Sequence, residues 1–329
     1  MKKSKFSFRV PSYVRWIGWV LLVQFVLINI SAALYAHKFT HVINDPSIRT
    51  AASSKNIFAK TWRLFTGPRQ VRVPITEFPT FQYDTVTLKT AKGISIDTWY
   101  ARTDSIAKGT VILFHGIISN KGMLLNEAYE FRYLGYNVML VDFRAYGNSG
   151  GQTTTIGVRE TEEVKLAYDF VSSKGEKNIF LWGISMGAVV VTKAIADYNL
   201  QPSGAIIEMP FASLQSHLQA RARAEGFQGL PEKPFGFFVT LWIGMERGFN
   251  GFKQKTTLFA AKVNCPVLMQ WGALDNYVHR NEIDKVYNAI ASSNKKLVIY
   301  DRAGHESLSQ KDPAKWRIET GRFLMANNR

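Results

Sequence analysis

The sequence predicts an α/β fold built on a mostly parallel sheet flanked by helices, and two observations along the chain support this fold class. Six short apolar runs lack the polar alternation of half-exposed strands, which is typical of strands buried on both faces. Helical patterns separate most of these runs, so strands and helices alternate along the chain. The runs are residues 110–114, 137–141, 179–182, 205–207, 267–270 and 297–300, and the helical patterns are residues 123–134, 158–172, 186–199, 281–291 and 313–326.

Two further segments complete the predicted domain, which covers residues 83–329. Residues 84–89 and 94–100 alternate in hydropathy on either side of a Lys-Gly turn, which predicts an opening hairpin. Residues 213–262 form a long interruption between two strand signals. Because structureless loops of that length are uncommon inside compact domains, we expect this insertion to be a helical cap.

The N-terminal region carries most of the net charge of +16. Residues 1–80 hold 12 Lys and Arg against 2 Asp and Glu, whereas residues 81–329 hold 29 against 23. A basic excess beside a hydrophobic span is typical of membrane proteins. The remainder has no RNA-binding aromatic signature, zinc-finger spacing or basic heptad region, so we do not expect a nucleic-acid partner.

The hydrophobic span at residues 16–36 contains no formally charged side chain, and a helix of that length covers about 30 Å, the thickness of the hydrocarbon core. We predict a transmembrane helix or signal anchor there, preceded by a basic cytoplasmic segment at residues 1–15. The positive-inside rule then places the rest of the chain on the exported side, periplasmic or extracellular. Two alternatives stay open: cleavage by signal peptidase at the small residues 31–33 would release a secreted protein, and the span could be a buried core helix.

Residues 37–82 are expected to connect this span to the domain. Phe58, Trp62 and Phe65 recur at helical spacing with cations between them, and Ser53 or Ser54 suits the N-cap position. Such a helix fits the headgroup region of a membrane, with its aromatic side chains inserted among the lipids. The same aromatic stripe could instead pack on the domain, so both interpretations stay open.

The sharpest local motif is Gly183-Ile184-Ser185-Met186-Gly187, which joins a strand pattern to a helix pattern. A strand-to-helix elbow crowds the backbone at the serine, and glycines two residues away on either side relieve that crowding. The serine hydroxyl then stands exposed above the sheet. We therefore expect Ser185 to be a nucleophile.

A serine nucleophile needs a base to take its proton, and a carboxylate orients that base. In folds with this elbow, the chain order is serine, then acid, then histidine. His305 comes directly after the last predicted strand, and Asp275 follows the strand at residues 267–270. Because α/β sheets place their chemistry at the carboxyl ends of strands, we expect Ser185, Asp275 and His305 to be catalytic, with Glu208 as a back-up acid.

An oxyanion hole requires two backbone N–H groups that point at the developing negative charge. The N–H of Met186, directly after the nucleophile, supplies one. The loop after the strand at residues 110–114 reads His115-Gly116-Ile117, and Gly116 permits a close approach of the backbone. We expect the Ile117 N–H to be the second donor and His115 to be structural.

Four patterns make the chain from about residue 83 resemble the α/β-hydrolase superfamily, most of all its serine-aminopeptidase-like and esterase-like branch, some members of which are membrane-tethered. In the pattern at residues 142–149, the superfamily usually has Gly at position 145, whereas this sequence has Ala. The resemblance covers about three quarters of the chain and implies an acyl-enzyme mechanism, but it does not extend to a substrate. The patterns are Phe114-His115-Gly116, residues 142–149, the Ser185 elbow, and Gly272-x-x-Asp275 paired with Gly304-His305.

Together these features predict a serine hydrolase that cleaves an ester, thioester or amide bond, most of all a carboxylesterase. No residues have metal-ligand spacing, so we expect neither a metal nor an organic cofactor, and the single cysteine, Cys265, excludes an intrachain disulfide. The expected partners are a small-molecule or lipid-like acyl substrate and the membrane. Two other functions fit the same motifs: a non-catalytic binding or envelope protein, and an acyltransferase in which an alcohol replaces water.

Overall fold

The computed structural model of the chain describes residues 11–45, 57–104, 106–224 and 232–328. Most of the predicted basic segment and the candidate N-cap residues Ser53 and Ser54 lie outside these ranges. The strands are β1 (Val42–Ile43), β2 (Gln70–Val71), β3 (Asp84–Lys89), β4 (Ser95–Ala101), β5 (Thr110–Phe114), β6 (Asn137–Val141), β7 (Ile179–Ile184), β8 (Gly204–Glu208), β9 (Val267–Gly272) and β10 (Lys295–Tyr300). The α-helices are α1 (Ser12–Thr40), α2 (Ile57–Thr66), α3 (Leu125–Tyr133), α4 (Thr161–Ser173), α5 (Met186–Tyr198), α6 (Leu214–Ala224), α7 (Glu232–Arg247), α8 (Thr256–Ala260), α9 (Arg280–Ala289), α10 (Leu308–Lys311) and α11 (Pro313–Ala326).

The apolar runs form the centre of an eight-stranded sheet with the order β10-β9-β8-β7-β5-β6-β4-β3. Strand β4 is antiparallel to both β3 and β6, and the other neighbours are parallel. Every residue of β5, β6 and β8 is buried, as expected for strands covered on both faces. The predicted α/β fold class with a mostly parallel sheet is therefore confirmed.

The register of the sheet brings the carboxyl ends of its parallel strands to one edge. Phe114 of β5 pairs with Gly183 of β7, and Ile184 pairs with Glu208 of β8. Loops that leave these strands therefore start close together, and this edge of the sheet carries the candidate site.

Two α-helices start two or three residues later than the sequence pattern predicts. The helix predicted from residue 123 is preceded by a 3₁₀ turn, Lys121–Leu124, before α3 begins. The helix predicted from residue 158 starts at Thr161, and the positive φ angles of Ile156 and Gly157, +53° and +93°, form a turn before it. Strands β1 and β2 form a separate pair of two residues each, which is too short to leave a hydropathy pattern.

The insertion at residues 213–262 is helical over most of its described residues. It contains α6, α7, a 3₁₀ turn at Gly251–Lys253 and α8. A Cβ atom at Gly236 would lie 2.6 Å from Cγ of Gln219, so the glycine lets α7 approach α6 closely. We call α6 and α7 together the cap helices.

Helix α1 has 29 residues and continues four residues beyond the predicted end at residue 36. An 18-residue window within it has a mean hydropathy of 2.1, so the helix is long and apolar enough to cross a membrane. Only 11% of that window is buried inside the structure, which argues against a core helix. The burial that α1 does have lies at its C-terminal end.

Helix α2 contains the aromatic stripe of the connector. The side chains of Phe58 and Trp62 are 82% and 62% exposed. The end of α2 is bonded to α1, because Lys38 Nζ donates to the hydroxyl oxygen of Thr66. These exposures favour the membrane interpretation of the stripe at Phe58 and Trp62.

Candidate active site

Ser185 lies at the junction of β7 and α5 with φ +54° and ψ −114°, a conformation that residues with a side chain rarely adopt. A Cβ atom at Gly183 would lie 2.5 Å from the carbonyl oxygen of Gly187, and one at Gly187 would lie 2.2 Å from the carbonyl oxygen of Phe114. Only glycine fits at either position. The N–H of Ser185 donates to the carbonyl oxygen of Glu208 at 2.8 Å, which ties the elbow to β8.

The structure brings Ser185, His305 and Asp275 together. His305 Nε2 lies 3.0 Å from Ser185 Oγ, and its Nδ1 lies 2.7 Å from Asp275 Oδ2. A carboxylate oxygen can only accept, so Nδ1 carries the hydrogen and donates it to Asp275. In the neutral imidazole, Nε2 is then free to accept the hydroxyl hydrogen of Ser185, as a general base requires.

The carboxyl group of Asp275 is fixed on its other side by the backbone. Its Oδ1 accepts the N–H groups of Tyr277 at 2.7 Å and Val278 at 2.8 Å, and its side chain is fully buried. The acid and histidine loops are also bonded to each other, since Leu274 N–H donates to the carbonyl oxygen of Ala303 at 2.8 Å. The Asp275–His305 distance is therefore set by two loops that hold each other.

The loop after β5 lies directly against Ser185. A Cβ atom at Gly116 would lie 3.4 Å from the Cβ of Ser185, and Ile117 lines the cavity above the serine. Met186, the other expected oxyanion donor, is the first residue of α5. The first N–H groups of a helix have no partner within the helix, so this end can bind an anion.

His115 is structural, as expected. Its Nε2 accepts the N–H of Phe143 at 3.1 Å, and its Nδ1 donates to the carbonyl oxygen of Gly116 at 2.7 Å. Burial lowers the pKa of His115, which keeps the ring neutral, as one donating and one accepting nitrogen require. The ring therefore links the loop after β5 to the loop after β6.

Ala145, where the family pattern usually has glycine, adopts φ +67° and is fully buried. This left-handed conformation favours glycine because it has no Cβ. The turn is held by Asp142, whose Oδ1 accepts the N–H of Lys121 at 2.7 Å and whose Oδ2 accepts the N–H of Asn148 at 2.9 Å. These bonds keep the turn in place although an alanine occupies the strained position.

Glu208, the back-up acid, ends β8 at the same edge, but its carboxyl group points into the core. Its Oε1 accepts N–H groups from Trp182 at 3.0 Å, Trp316 at 2.7 Å and Gln270 at 3.0 Å. Burial, with a further contribution from Glu127, raises the pKa of Glu208 to about 8. The carboxylate that contacts His305 is therefore Asp275.

Ser185 lines a cavity of about 580 Å³. Three residues on its wall were not found by sequence reasoning: Glu127 of α3, and His217 and Arg221 of α6. Glu127 is buried and accepts the hydroxyl hydrogens of Ser307 at 2.5 Å and Ser309 at 2.7 Å, which braces the segment that follows His305. No motif marks these residues, because only the fold brings them to the cavity.

Within the described ranges, no group of three or more His, Cys, Asp or Glu side chains is placed to hold a metal ion. The polar groups around the cavity are arranged instead as a serine with a base and an acid. This arrangement suits nucleophilic acyl transfer.

Comparison with known proteins agrees with this architecture. A family model described as "Serine aminopeptidase, S33" matches residues 105–235. The esterase Pf2001 of Pyrococcus furiosus superposes with a TM-score of 0.65 at 25% sequence identity, over 78% of this chain and 96% of that chain. The chain belongs to the α/β-hydrolase superfamily.

Three further proteins are similar to parts of this chain. An uncharacterized protein of Bacillus subtilis, YqkD, is 27% identical over 218 residues, which are 65% of this chain and 70% of YqkD. The lysophosphatidylserine lipase ABHD12 of Danio rerio is 23% identical over 201 residues, 59% of this chain and 50% of ABHD12. The α/β-hydrolase thus matches about half the length of ABHD12. A bacterial membrane phospholipase A shares the fold with a TM-score of 0.54 at 18% identity, over 74% of this chain and 86% of that chain.

The predicted superfamily and the prediction of an enzyme are confirmed by these comparisons. The α/β-hydrolase is a hydrolase of the serine type.

Proposed function

We propose that the α/β-hydrolase is a carboxylic ester hydrolase in which Ser185, His305 and Asp275 form the catalytic triad. The observation that supports this proposal is the continuous hydrogen-bonded chain from Ser185 Oγ through His305 to Asp275, with distances of 3.0 Å and 2.7 Å. The strained φ of +54° at Ser185 also supports the proposal, because strained backbone conformations cluster at active sites, where the surrounding structure maintains them.

In the proposed reaction, Ser185 Oγ attacks the ester carbonyl carbon while His305 Nε2 takes the hydroxyl proton. The N–H groups of Ile117 and Met186 stabilise the oxyanion of the tetrahedral intermediate. The alcohol leaves with the proton from Nε2, and the acyl group stays on Ser185. A water molecule then attacks the acyl-enzyme with the same proton transfers, and the carboxylic acid is released.

Asp275 is proposed to hold the imidazole in the tautomer with hydrogen on Nδ1 and to offset the charge of the imidazolium. Its buried position supports this role, since an interaction between charges is stronger where water is excluded. The start of α5 contributes as well, because the positive end of a helix dipole lies beside the developing oxyanion.

We further propose that the substrate is a lipid-like acyl ester. Two similar proteins act on lipids by name, a lysophosphatidylserine lipase and a membrane phospholipase A, and they support this class. The cavity supports it too, because the apolar side chains of Ile117, Ile118, Met123 and Leu124 line its wall. An acyl chain fits such a wall without leaving polar groups unpaired.

The proposed location is a membrane, with residues 1–15 as the cytoplasmic segment and residues 16–36 as the anchor. Residues 37–82 then connect the anchor to a hydrolase domain at residues 83–329 on the exported side. Residues 12–30 support this arrangement, since all but two of them are exposed and most of their side chains are apolar.

A second candidate function is an aminopeptidase, which the carboxylates of Glu77 and Glu306 on the cavity wall favour. Such groups suit the α-ammonium of a peptide N-terminus, because opposite charges within reach attract. The two candidates differ in the bond that is cleaved, so they can be separated with model substrates.

The test combines a fluorophosphonate probe with the Ser185→Ala variant. We expect the probe to label the wild-type protein, and turnover of p-nitrophenyl esters to fall by about 10⁴-fold or more in the variant, whose fold survives. Ser173→Ala, which removes an exposed hydroxyl at the end of α4, is the matched control and should keep both properties. An unlabelled wild-type protein would favour a binding function instead.

The substrate class is tested with p-nitrophenyl esters of increasing chain length beside aminoacyl p-nitroanilides. We expect the rate constant kcat/KM to rise with chain length and the anilides to be poor substrates. Faster hydrolysis of the anilides would contradict the esterase proposal and support the aminopeptidase. Addition of an alcohol as acceptor shows whether the acyl group passes to it rather than to water.

A further inference from the structure

Helix α1 consists of two parts with opposite surroundings. Residues 12–30 are exposed apart from two partly buried positions, whereas most of residues 31–40 are buried in the protein. The fully buried positions of this second part lie mainly on one helical face. They are Ser31, Ala32, Tyr35, Ala36, Phe39 and Thr40.

The second part of α1 is buried mainly by the cap helix α7. The rings of Tyr35 and Phe235 meet edge to face with 5.1 Å between their centres. At the other end of α7, Arg247 Nε donates to Thr40 Oγ1 at 2.8 Å. The second part of α1 therefore contacts α7 near both ends of α7 and packs with the cap helices.

The connector closes over this contact. A Cβ atom at Gly67 would lie 2.3 Å from a ring carbon of Tyr35, so only glycine allows the chain after α2 to pass there. The hydroxyl of Ser31 donates to the carbonyl oxygen of Phe65. Both contacts fix the second part of α1 between the connector and the cap helices.

Phe39 links α1 to the cavity itself. Its ring stacks on the imidazole of His217 with 6.3 Å between centres, and the guanidinium carbon of Arg221 lies 4.8 Å from its centre. His217 and Arg221 belong to α6 and line the cavity together with Ser185 and His305. Phe39 thus supports the cap side of the cavity from behind.

We propose that helix α1 is a structural part of the active-site cap, and that Phe39 positions His217 and Arg221 on the cavity wall. This inference rests on the proposed function of Ser185. It makes Phe39 a positioning residue, since it acts through the two α6 side chains. Its consequence is that the enzyme works with α1 in place and not as a form cleaved near residue 33.

The same geometry brings the active site close to the lipid surface. Ile30 is the last exposed residue of the apolar part, and Phe39 follows nine residues later. At a rise of about 1.5 Å per residue, these positions are roughly 14 Å apart along the helix axis. The wall of the cavity therefore lies within a short distance of the bilayer that surrounds the exposed part of the proposed anchor, residues 16–30, where an amphiphilic ester is concentrated.

The experiment compares Phe39→Ala with wild type in the full-length protein, using p-nitrophenyl acetate and p-nitrophenyl dodecanoate in the same detergent micelles. The short ester needs only Ser185 and its partners, whereas the long one also needs the cap wall. We expect labelling by the fluorophosphonate probe and kcat/KM for acetate to change by less than about threefold, and kcat/KM for dodecanoate to fall about tenfold or more.

Phe323→Ala is the matched control, because this ring packs against Phe180 and Gly204 at the amino ends of the strands, away from the cap. It removes the same number of atoms and should leave the ratio of the two rates unchanged. Phe39→Leu keeps an apolar side chain without a ring face, and we expect an intermediate ratio. If Phe39→Ala does not fold, Phe39→Leu provides the test.

A wild-type ratio in either folded Phe39 variant would overturn the proposal. So would a native protein whose intact mass shows a start near His37 and whose dodecanoate activity equals that of the full chain. Failure of the proposed function gives a different result. If Ser185 is not a nucleophile, the probe does not label the wild-type protein and neither ester is hydrolysed through Ser185.

Discussion

Two carboxyl groups end neighbouring strands at the active edge of the sheet, and their surroundings differ. Asp275, in the loop after β9, accepts hydrogen bonds from two backbone N–H groups and faces the imidazole of His305. Glu208, at the end of β8, has Oε1 bonded to two indoles and an amide, while Oε2 has no hydrogen-bond partner among the described residues. Burial raises the pKa of Glu208 to about 8, so this carboxyl is mostly neutral at pH 7. Position at a strand end therefore does not assign a role; the environment of each carboxyl does.

The largest effect is expected for Asp275→Asn. With its oxygen on the backbone N–H groups, the amide turns its NH2 donor toward His305 Nδ1, which disfavours the tautomer with hydrogen on Nδ1 and leaves the imidazole without an anionic partner, so we expect kcat to fall by about 10⁴-fold. The backbone bonds of the loop can persist, since the side-chain oxygen remains an acceptor. Kinetics with an activated ester and circular dichroism measure activity and fold. A larger loss of kcat in Glu208→Gln than in Asp275→Asn would reverse the assignment of the two carboxyls.

A smaller effect, on stability, is expected for Glu208→Gln. The folded-state pKa of about 8 lies above the ordinary value of 4.5, so the folded protein holds this proton more tightly than the unfolded chain. The stability contributed by the protonated carboxyl is complete below about pH 4.5 and is lost as the pH rises through about 8. The neutral glutamine has no such dependence.

The free energy of unfolding of the wild type should therefore fall relative to Glu208→Gln by a few kcal/mol, in order of magnitude, between pH 5 and pH 8. Urea unfolding of both proteins in the same detergent at several pH values measures this difference. Other titrating groups are shared by the two proteins and cancel. Parallel curves would show that Glu208 is ionised in the folded state, like an exposed carboxylate.

Much of the sheet and the set of Ser185, Asp275 and His305 could be predicted because both follow from local patterns. Strands buried on two faces leave uninterrupted apolar runs, and the catalytic residues were sought at the ends of those runs. The direction of a side chain leaves no such pattern. Glu208 therefore stayed a back-up acid beside Asp275 in the prediction, although its carboxyl turns toward Trp182 and Trp316 and that of Asp275 toward the imidazole.

The contacts of α1 could not be predicted for a different reason. Tyr35, Ala36 and Phe39 are as apolar as the residues before them, and hydropathy does not distinguish a side chain that faces lipid from one that packs on protein. The partners of these residues lie about 180 to 210 positions later in the chain. Cavity residues such as Glu127 and His217 were missed for the same reason, since only tertiary packing brings them beside Ser185.

The smallest effect of these substitutions is expected on the kcat of the Glu208→Gln variant. The glutamine can offer its carbonyl oxygen to the same indole donors, and the bond from Ser185 N–H goes to the backbone oxygen of residue 208, which the substitution keeps. A neutral group replaces a mostly neutral group at pH 7, so the field at the imidazolium barely changes and kcat should stay within about threefold. Above pH 8 the wild type gains a negative charge near the site and the variant does not, so the two pH–rate profiles should separate only there. Profiles of kcat from pH 6 to 9.5 measure this, and a separation already at pH 6 would mean that Glu208 acts on His305 as an anion, the role proposed for Asp275.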